Sequence, residues 1–190
     1  MSNVSLTNTS YSSQNNLLLN NLIQYYSDMD KLDRMLNIIN GNVNISLRIV
    51  DWFTTNYAKK NYTVYPLSNG NRFKVYDDYK LKLRSYSKKR FDPFCRWERI
   101  SIPYKNDTQI QTTIGQLNFF KWAFDNNVID YIEKHYDDIE KDMNSRNSTS
   151  KRKNVSASSN QKTRKKREEL SISASKTIKK ENVEIIIKFD

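Results

Sequence analysis

The fold of this chain is decided by residues 112–132, which read TTIGQLNFFKWAFDNNVIDYI. Thr112 or Thr113 can cap a helix here, because a threonine hydroxyl accepts a hydrogen bond from a backbone amide of the first turn. Apolar residues follow at helical spacing, first Leu117, Phe120 and Phe124, then Val128, Ile132, Tyr136, Ile139 and Met143. The Asn126–Asn127 pair lies between the two runs and is suited to break the helix. Helices are therefore expected to carry most of the architecture.

Composition supports a helical fold with some chain outside the core. The 190 residues include only 3 Gly and 3 Pro, too few for the many tight turns of an all-β sandwich or barrel. Hydrophobic residues make up 37%, which is low for a compact domain and indicates that part of the chain does not pack. The expected class is α+β, a mostly helical single domain whose small β-sheet is completed by a C-terminal strand.

Other elements are indicated by periodicity and by cap residues. We expect one helix over 15–40 ended by Gly41, a second helix begun by Ser46, and a basic helix over 76–89. Short strands are expected at 63–65, 72–75 and 99–104, with a turn around Pro66, Asn69 and Gly70.

The chain divides into four segments. Residues 1–14 are rich in Ser, Asn and Thr and predict a disordered lead-in, and residues 15–144 form the domain. Residues 145–167 have no apolar period and predict a basic, disordered loop. In the segment 168–190, the run 183–189 (VEIIIKF) is typical of a strand, which we expect to return to the domain.

Most of the net charge of +11 lies in the predicted loop and its flank. Residues 145–182 contain 12 basic and 3 acidic side chains, a net charge of +9. Charge is also segregated within the domain: residues 72–105 have a balance of +7 and residues 125–142 a balance of −5. Such clusters of Lys and Arg suit phosphate binding, because each neutralised phosphate releases condensed counterions.

Two sets of basic residues are candidate nucleic-acid contacts. The first, in the loop, is Lys151, Arg152, Lys153, Lys162, Arg164, Lys165, Lys166 and Arg167. The second, around the basic helix, is Lys88, Lys89, Arg90, Arg96 and Arg99. Three other readings of the loop stay open: a solvated linker held extended by charge repulsion, a bipartite nuclear localisation signal, and a segment that rests on the acidic helix surface near Asp137 and Asp142.

Aromatic side chains near these cations are open to two interpretations. On the helix 76–89, a stripe of Tyr76, Tyr79, Leu83 and Tyr86 is either a platform on which bases stack or the buried face of the helix, and the spacing favours burial. The segment 91–99 (FDPFCRWER) is either a recognition loop or a buried proline turn.

The sequence shows no recognisable catalytic centre. Its three glycines are isolated, so no phosphate-binding loop is present, and with one cysteine (Cys95) and one histidine (His135) it lacks the ligands of a Cys/His zinc site. No cofactor is expected, and the chain is expected not to be an enzyme. A metal-dependent nuclease remains a weak alternative, because it needs only converging carboxylates and a lysine. The first residues lack a basic start followed by an apolar run, and the aliphatic runs are too short to span a bilayer, so neither secretion nor membrane association is expected.

Four stretches together resemble a known group of viral proteins. They are SLRIVDWFTTNYAKKN (46–61), YSKKRFDPFCRWERI (86–100), TTIGQLNFFKWAFDNNVIDYI (112–132) and LSISASKTIKKENVEIIIKFD (170–190). They are similar to an uncharacterised protein family of nucleocytoplasmic large DNA viruses, the mimivirus-like ones especially. The resemblance implies a viral protein that acts in the cytoplasm or nucleus of an infected cell or is carried in the particle. It supplies no activity and no site residues.

Two functions are expected from these observations. The first is a non-enzymatic protein that binds DNA or RNA through phosphate contacts. The second is a virion or assembly protein that acts by contact with other viral proteins, with the basic loop as a tether. Binding to phosphates should weaken steeply with salt, whereas a hydrophobic assembly interface should not.

Overall fold

The computed structural model describes residues 13–95, 98–105, 108–155 and 179–181. Helices form most of this part of the chain, and two small antiparallel sheets accompany them, which confirms the α+β, mostly helical class. The helices are α1 (Ser13–Tyr25), α2 (Met29–Asn40), α3 (Leu47–Trp52), α4 (Ala58–Lys60), α5 (Val75–Phe91), α6 (Ile114–Asp125), α7 (Val128–Lys134) and α8 (Tyr136–Val155). The strands are β1 (Val64–Pro66), β2 (Arg72–Lys74), β3 (Arg99–Pro103), β4 (Gln109–Thr113) and β5 (Lys179–Glu181).

The single helix expected over 15–40 is wrong, because the segment forms two helices. Asp28 has extended backbone angles and its side chain accepts a hydrogen bond from the amide of Asp30, which makes it the N-cap of α2. The apolar period runs through the break because Leu22 on α1 and Leu32 on α2 are both buried in the same core. Gly41 ends α2 as expected, with a left-handed φ of 73°.

The segment after α2 is one helical run with a wider turn in the middle. Ser46 caps α3 by accepting a hydrogen bond from the amide of Ile49, as the sequence predicts. A π-helical turn over Phe53–Tyr57 joins α3 to the short α4. Phe53 on this turn is fully buried and stacks on Tyr131 of α7, with ring centroids 5.3 Å apart.

The hairpin of β1 and β2 leads directly into α5. Val64 pairs with Lys74 and Pro66 with Arg72, close to the strands expected at 63–65 and 72–75. Gly70 adopts a φ of 80° in the connecting turn, a conformation that favours glycine. The hydroxyl of Tyr65 donates to the backbone oxygen of Asn126 at 2.8 Å and so ties the hairpin to the junction of α6 and α7.

The second sheet has the order β3–β4–β5, and both of its pairings are antiparallel. Strand β3 corresponds to the strand expected at 99–104, whereas β4 was not predicted from the sequence. Lys179–Glu181 pairs with the first half of β4, but residues 183–189, where the C-terminal strand was expected, lie outside the described residues.

Helix α6 lies at the centre of the core. Thr113 caps it by accepting a hydrogen bond from the amide of Gln116, and the helix ends before the Asn126–Asn127 pair, as expected. Phe119 and Phe120 are fully buried, and Trp122 packs at right angles to Phe91 of α5. An aromatic core of this kind supplies large buried apolar area.

The C-terminal helices differ from expectation in two places. The helix expected across 128–143 is interrupted at His135, where α7 ends and α8 begins. The loop expected from 145 onward starts as helix, since α8 continues through Val155. Arg146, Lys151, Arg152 and Lys153 are good helix formers, so an established helix can extend through this charged segment without apolar contacts. Residues 156–167 of the expected loop lie outside the described residues.

Candidate nucleic-acid interface

Helix α5 carries six basic side chains, more than any other described element. Its inner face is fixed by Val75, Tyr79 and Phe91, which are buried. Trp122 of α6 donates a hydrogen bond from its indole nitrogen to Asp78 at 2.6 Å. The helix is therefore held on the core by one face, and its other faces are open to solvent.

The aromatic stripe of α5 belongs to the core. Tyr79 is 6% exposed, and its ring lies 5.9 Å from the rings of both Phe91 and Trp122. Tyr76, Leu83 and Tyr86 are half-buried against the same cluster. Burial also raises the pKa of the Tyr79 hydroxyl well above its ordinary value. The stripe is thus the packed face of the helix, which agrees with the interpretation that its spacing favours.

Basic side chains cover the outer faces of α5, and several of them form no ion pair within the described residues. Lys80 and Arg84 lie one turn apart on the regular part of the helix, and Lys88 follows and is exposed. Within the described residues, no ion pair involves any of these three, and the same holds for Lys82, Arg90 and Arg99. Cations without a carboxylate partner remain available to phosphate oxygens.

Several basic residues elsewhere in the domain are, by contrast, engaged with carboxylates. Arg34 of α2 bonds Asp130 and Glu133 of α7, the latter at 3.2 Å. Lys105 pairs with Asp33, and Lys121 pairs with Asp125 one turn further along α6. Within the described residues, α5 carries more basic side chains without an ion pair than any other element, although Lys59, Arg72, Lys134 and Lys141 form none either.

A kink separates the two basic parts of α5. Ser87 has φ 64° and ψ 167°, which is not helical, so the turn containing Lys88, Lys89 and Arg90 is offset from the rest of the helix. Gly115 on α6 permits this turn to approach closely. A Cβ at position 115 would lie 2.9 Å from the carbonyl oxygen of Asp92 and 3.1 Å from that of Lys89.

The kink opens a small cleft beside the first turn of α6. Its volume is about 170 Å³. The residues that line it are Asn15, Ser87, Lys89, Arg90, Glu98 and Ile114. Lys89 and Arg90 therefore bring positive charge to the cleft, which Glu98 partly offsets.

The remaining candidate residues are placed as follows. Arg99 is exposed at the start of β3, opposite Thr113 in the sheet. Lys151, Arg152 and Lys153 are on the last turns of α8, where the structure describes only the backbone. Arg96 and the group Lys162, Arg164, Lys165, Lys166 and Arg167 lie outside the described residues. The structure thus groups Lys88, Lys89 and Arg90 at the kink, and leaves their relation to the loop residues a prediction.

One exposed aromatic residue was missed by the sequence analysis. Tyr62, between α4 and β1, is 80% exposed and has a left-handed φ of 46°. A bulky side chain with positive φ is a true outlier of backbone geometry. The sequence signal was only the Asn61–Tyr62 pair after two lysines, which does not reveal the backbone conformation.

The acidic surface of α7 and α8 is partly used for structure. The carboxylate of Asp142 accepts hydrogen bonds from Trp52 Nε1 at 3.1 Å and from Lys60 Nζ at 2.7 Å. Burial alone would raise the pKa of Asp142, but these hydrogen bonds and the charges of Lys60 and Arg146 hold it below its ordinary value. Asp142 is therefore a structural anchor of α8 and is occupied by partners within the fold.

Across the described ranges, His, Cys, Asp and Glu side chains do not gather in any group of three that could hold a metal ion. The helices described here include none that is long and apolar enough to cross a membrane.

Comparison with known proteins places the chain among viral sequences. The model of a family of unknown function, DUF7197, matches residues 3–179. An uncharacterized protein of Acanthamoeba polyphaga mimivirus, L507, is 43% identical over 143 residues, which cover 71% of this chain and 55% of that protein. The chain thus spans about half the length of the curated relative that it matches. No solved structure matches it.

Proposed function

The chain belongs to DUF7197, a family of unknown function with a relative in a mimivirus, and we propose that it is a viral protein. We infer that it binds nucleic acid through phosphate contacts and catalyses no reaction. The observation that carries the proposal is that Lys80, Arg84 and Lys88 of α5 form no ion pair within the described residues. A phosphate backbone supplies what these cations lack, a set of anionic oxygens spaced along a surface.

The charge distribution of the fold supports this role. Acidic side chains that would compete for the α5 cations are held elsewhere: Asp78 accepts from Trp122, and Asp77 pairs with Lys74 at 2.9 Å. The acidic residues of α7 and α8 interact with α2, α3 and α4. A polyanion would therefore be attracted to α5 and repelled from α7 and α8, which orients the encounter.

The proposal also includes the loop residues of the candidate set. Arg152 and its neighbours continue the chain beyond α8, and a second cationic segment on the same chain raises the effective concentration of binding groups near a bound strand. The folded surface of α5 would then set the position on the strand, while the loop would add affinity that does not depend on sequence.

The test is a binding titration across a salt series. Labelled duplex DNA and labelled single-stranded RNA are titrated with the intact protein and with the triple variant Lys80→Gln, Arg84→Gln and Lys88→Gln. The triple variant should bind more weakly. The slope of log K against log salt, which is negative, should become less steep by about 2 to 3, since each lost phosphate contact contributes about 0.7 to 0.9 to its magnitude.

The matched control removes three positive charges from α6, α7 and α8. It carries Lys121→Gln, Lys134→Gln and Lys141→Gln, and so has the same net charge as the triple variant. Its affinity and slope should stay close to those of the intact protein. Equal losses in both variants would mean that net charge alone drives binding. Absence of binding by the intact protein near physiological salt would refute the nucleic-acid proposal and favour an assembly protein.

A further inference from the structure

We infer that the surface around Tyr62 is a stacking site for a base of single-stranded nucleic acid, next to the basic surface of α5. The inference rests on the proposed function and deepens it, since it distinguishes a single strand from a duplex. Tyr62 is 80% exposed, whereas the other described tyrosines are buried or half-buried. A phenol ring in solvent presents an apolar face without using it in the fold.

The backbone at Tyr62 holds the ring in a strained position. Its φ of 46° costs free energy for a residue with a bulky side chain, and such strain persists only where the surroundings fix it. Those surroundings are defined: the amide of Thr63 donates to Ala58 at 3.1 Å, and the carbonyl of Thr63 accepts from Val75 at 3.3 Å. Thr63, which follows Tyr62, is thus fixed through both its amide and its carbonyl, while the side chain of Tyr62 is exposed.

Basic residues lie on the elements that adjoin Tyr62. Val64 pairs with Lys74 in the hairpin, so the chain at Tyr62 lies at the end of the hairpin where α5 begins. Lys59 lies on the turn before it, with its ammonium 5.5 Å from the centre of the Tyr76 ring. Lys80 is one helical turn after Tyr76 on α5. An exposed ring with basic residues on the adjoining elements resembles the arrangement by which proteins hold unpaired bases and their phosphates together.

Single-stranded nucleic acid is the occupant that this arrangement favours. In a duplex the faces of the bases are covered by their neighbours, so an exposed ring gains nothing from stacking. In a single strand each base offers a free face, and stacking on an aromatic side chain tolerates any base. DNA and RNA share this chemistry, and the experiment separates them.

The experiment compares three variants with the intact protein in the same titration at one salt concentration. Tyr62→Asn removes the ring but keeps a residue that tolerates positive φ, so the variant should fold at least as stably as the intact protein. Tyr62→Phe keeps the ring. The third, Leu17→Ala, is a control that removes an exposed apolar side chain, 65% exposed, from α1. The probes are a single-stranded DNA, a single-stranded RNA and a DNA duplex of equal length.

The expected result is a loss of affinity that is confined to one variant and to single-stranded probes. Tyr62→Asn should weaken single-strand binding at least about fivefold, the smaller end of the effect of removing one stacking ring, and leave duplex binding unchanged. Tyr62→Phe and Leu17→Ala should match the intact protein. A loss for only one of the two single strands would identify that nucleic acid as the occupant.

The outcomes that overturn the inference are distinct from failure of the proposed function. If the intact protein binds with strong salt dependence but Tyr62→Asn binds single strands as tightly, the stacking site is refuted and the proposed function stands. Equal losses on single strands and duplex would also refute stacking. If the intact protein binds none of the three probes near physiological salt, both proposals fail.

Discussion

The indole nitrogen of Trp52 donates a hydrogen bond to the carboxylate of Asp142 at 3.1 Å, which joins α3 to α8. The same carboxylate accepts from Lys60 at 2.7 Å, and its side chain is only 10% exposed. Arg146, one turn later on α8, places its guanidinium 5.8 Å from the Trp52 ring centre. One aspartate thus connects the acidic start of α8 to the helices that precede the hairpin.

Asp142→Asn should lower the free energy of unfolding at neutral pH by about 1 to 3 kcal/mol, because the hydrogen bonds from Trp52 and Lys60 then lose a charged acceptor that is largely buried. The pKa of Asp142 in the folded protein lies below its ordinary value of 3.8. Its contribution is therefore fully present above 3.8 and is lost as pH falls through the folded pKa. Urea unfolding of both proteins should show a difference that is largest at neutral pH and shrinks as pH falls below the ordinary value of 3.8.

Asp137→Asn is the control for this prediction, since Asp137 is an exposed carboxylate on the first turn of the same helix. It should change stability by no more than about 0.5 kcal/mol. A difference between Asp142→Asn and the intact protein that stays constant down to the lowest pH would contradict the assigned pKa.

Ser87→Gly should stabilise the protein. The φ of 64° and ψ of 167° at Ser87 lie in a region that almost only glycine adopts. Release of this strain should exceed the entropy that glycine adds to the unfolded chain, for a net gain of up to about 1 kcal/mol. Ser85→Gly, two residues earlier in regular helix, should instead lose about 0.5 to 1 kcal/mol. Thermal or urea unfolding of the pair should therefore give shifts of opposite sign, and shifts of the same sign would contradict the kink.

Local signals in the sequence predicted those features that depend on neighbouring residues alone. Gly41, Ser46 and Thr113 act as caps as expected, because a cap needs only one side chain and the first or last turn of its own helix. The break at Asp28 was missed because the helices before and after it bury residues in one core. Periodicity reports which face is buried, and it does not report whether the helix is continuous.

The candidate site was predictable in part, for the same reason. The basic character of α5 and the burial of its tyrosine stripe follow from composition and spacing. That Lys80, Arg84 and Lys88 lack carboxylate partners within the described fold, whereas Arg34 and Lys105 have them, depends on residues far apart in the chain. The exposure of Tyr62 depends on a left-handed backbone that a tyrosine does not signal.

The basic residues after α8 give the last prediction. Changing the eight basic residues of 151–167 to Ser and Gln should weaken binding to duplex DNA and single-stranded RNA, and should lower the salt slope further than the α5 triple variant does, because more phosphate contacts are removed. Combining both sets of changes should lose close to the sum of the separate free energies if the loop and α5 contact different phosphates of one strand. The measurement is the same salt titration.

Each other reading of the loop predicts a different result for this variant. A solvated linker would leave affinity and slope unchanged, and a nuclear localisation signal would alter the distribution of a fluorescent fusion in cells without altering binding. If the loop rests on the acidic surface near Asp137, the carboxylates there would compete with phosphates for the cations of the loop. The loop would then add little to the salt slope. A steep loss of affinity together with a lower slope is the result that only phosphate contact by the loop explains, because counterion release scales with the number of phosphates neutralised.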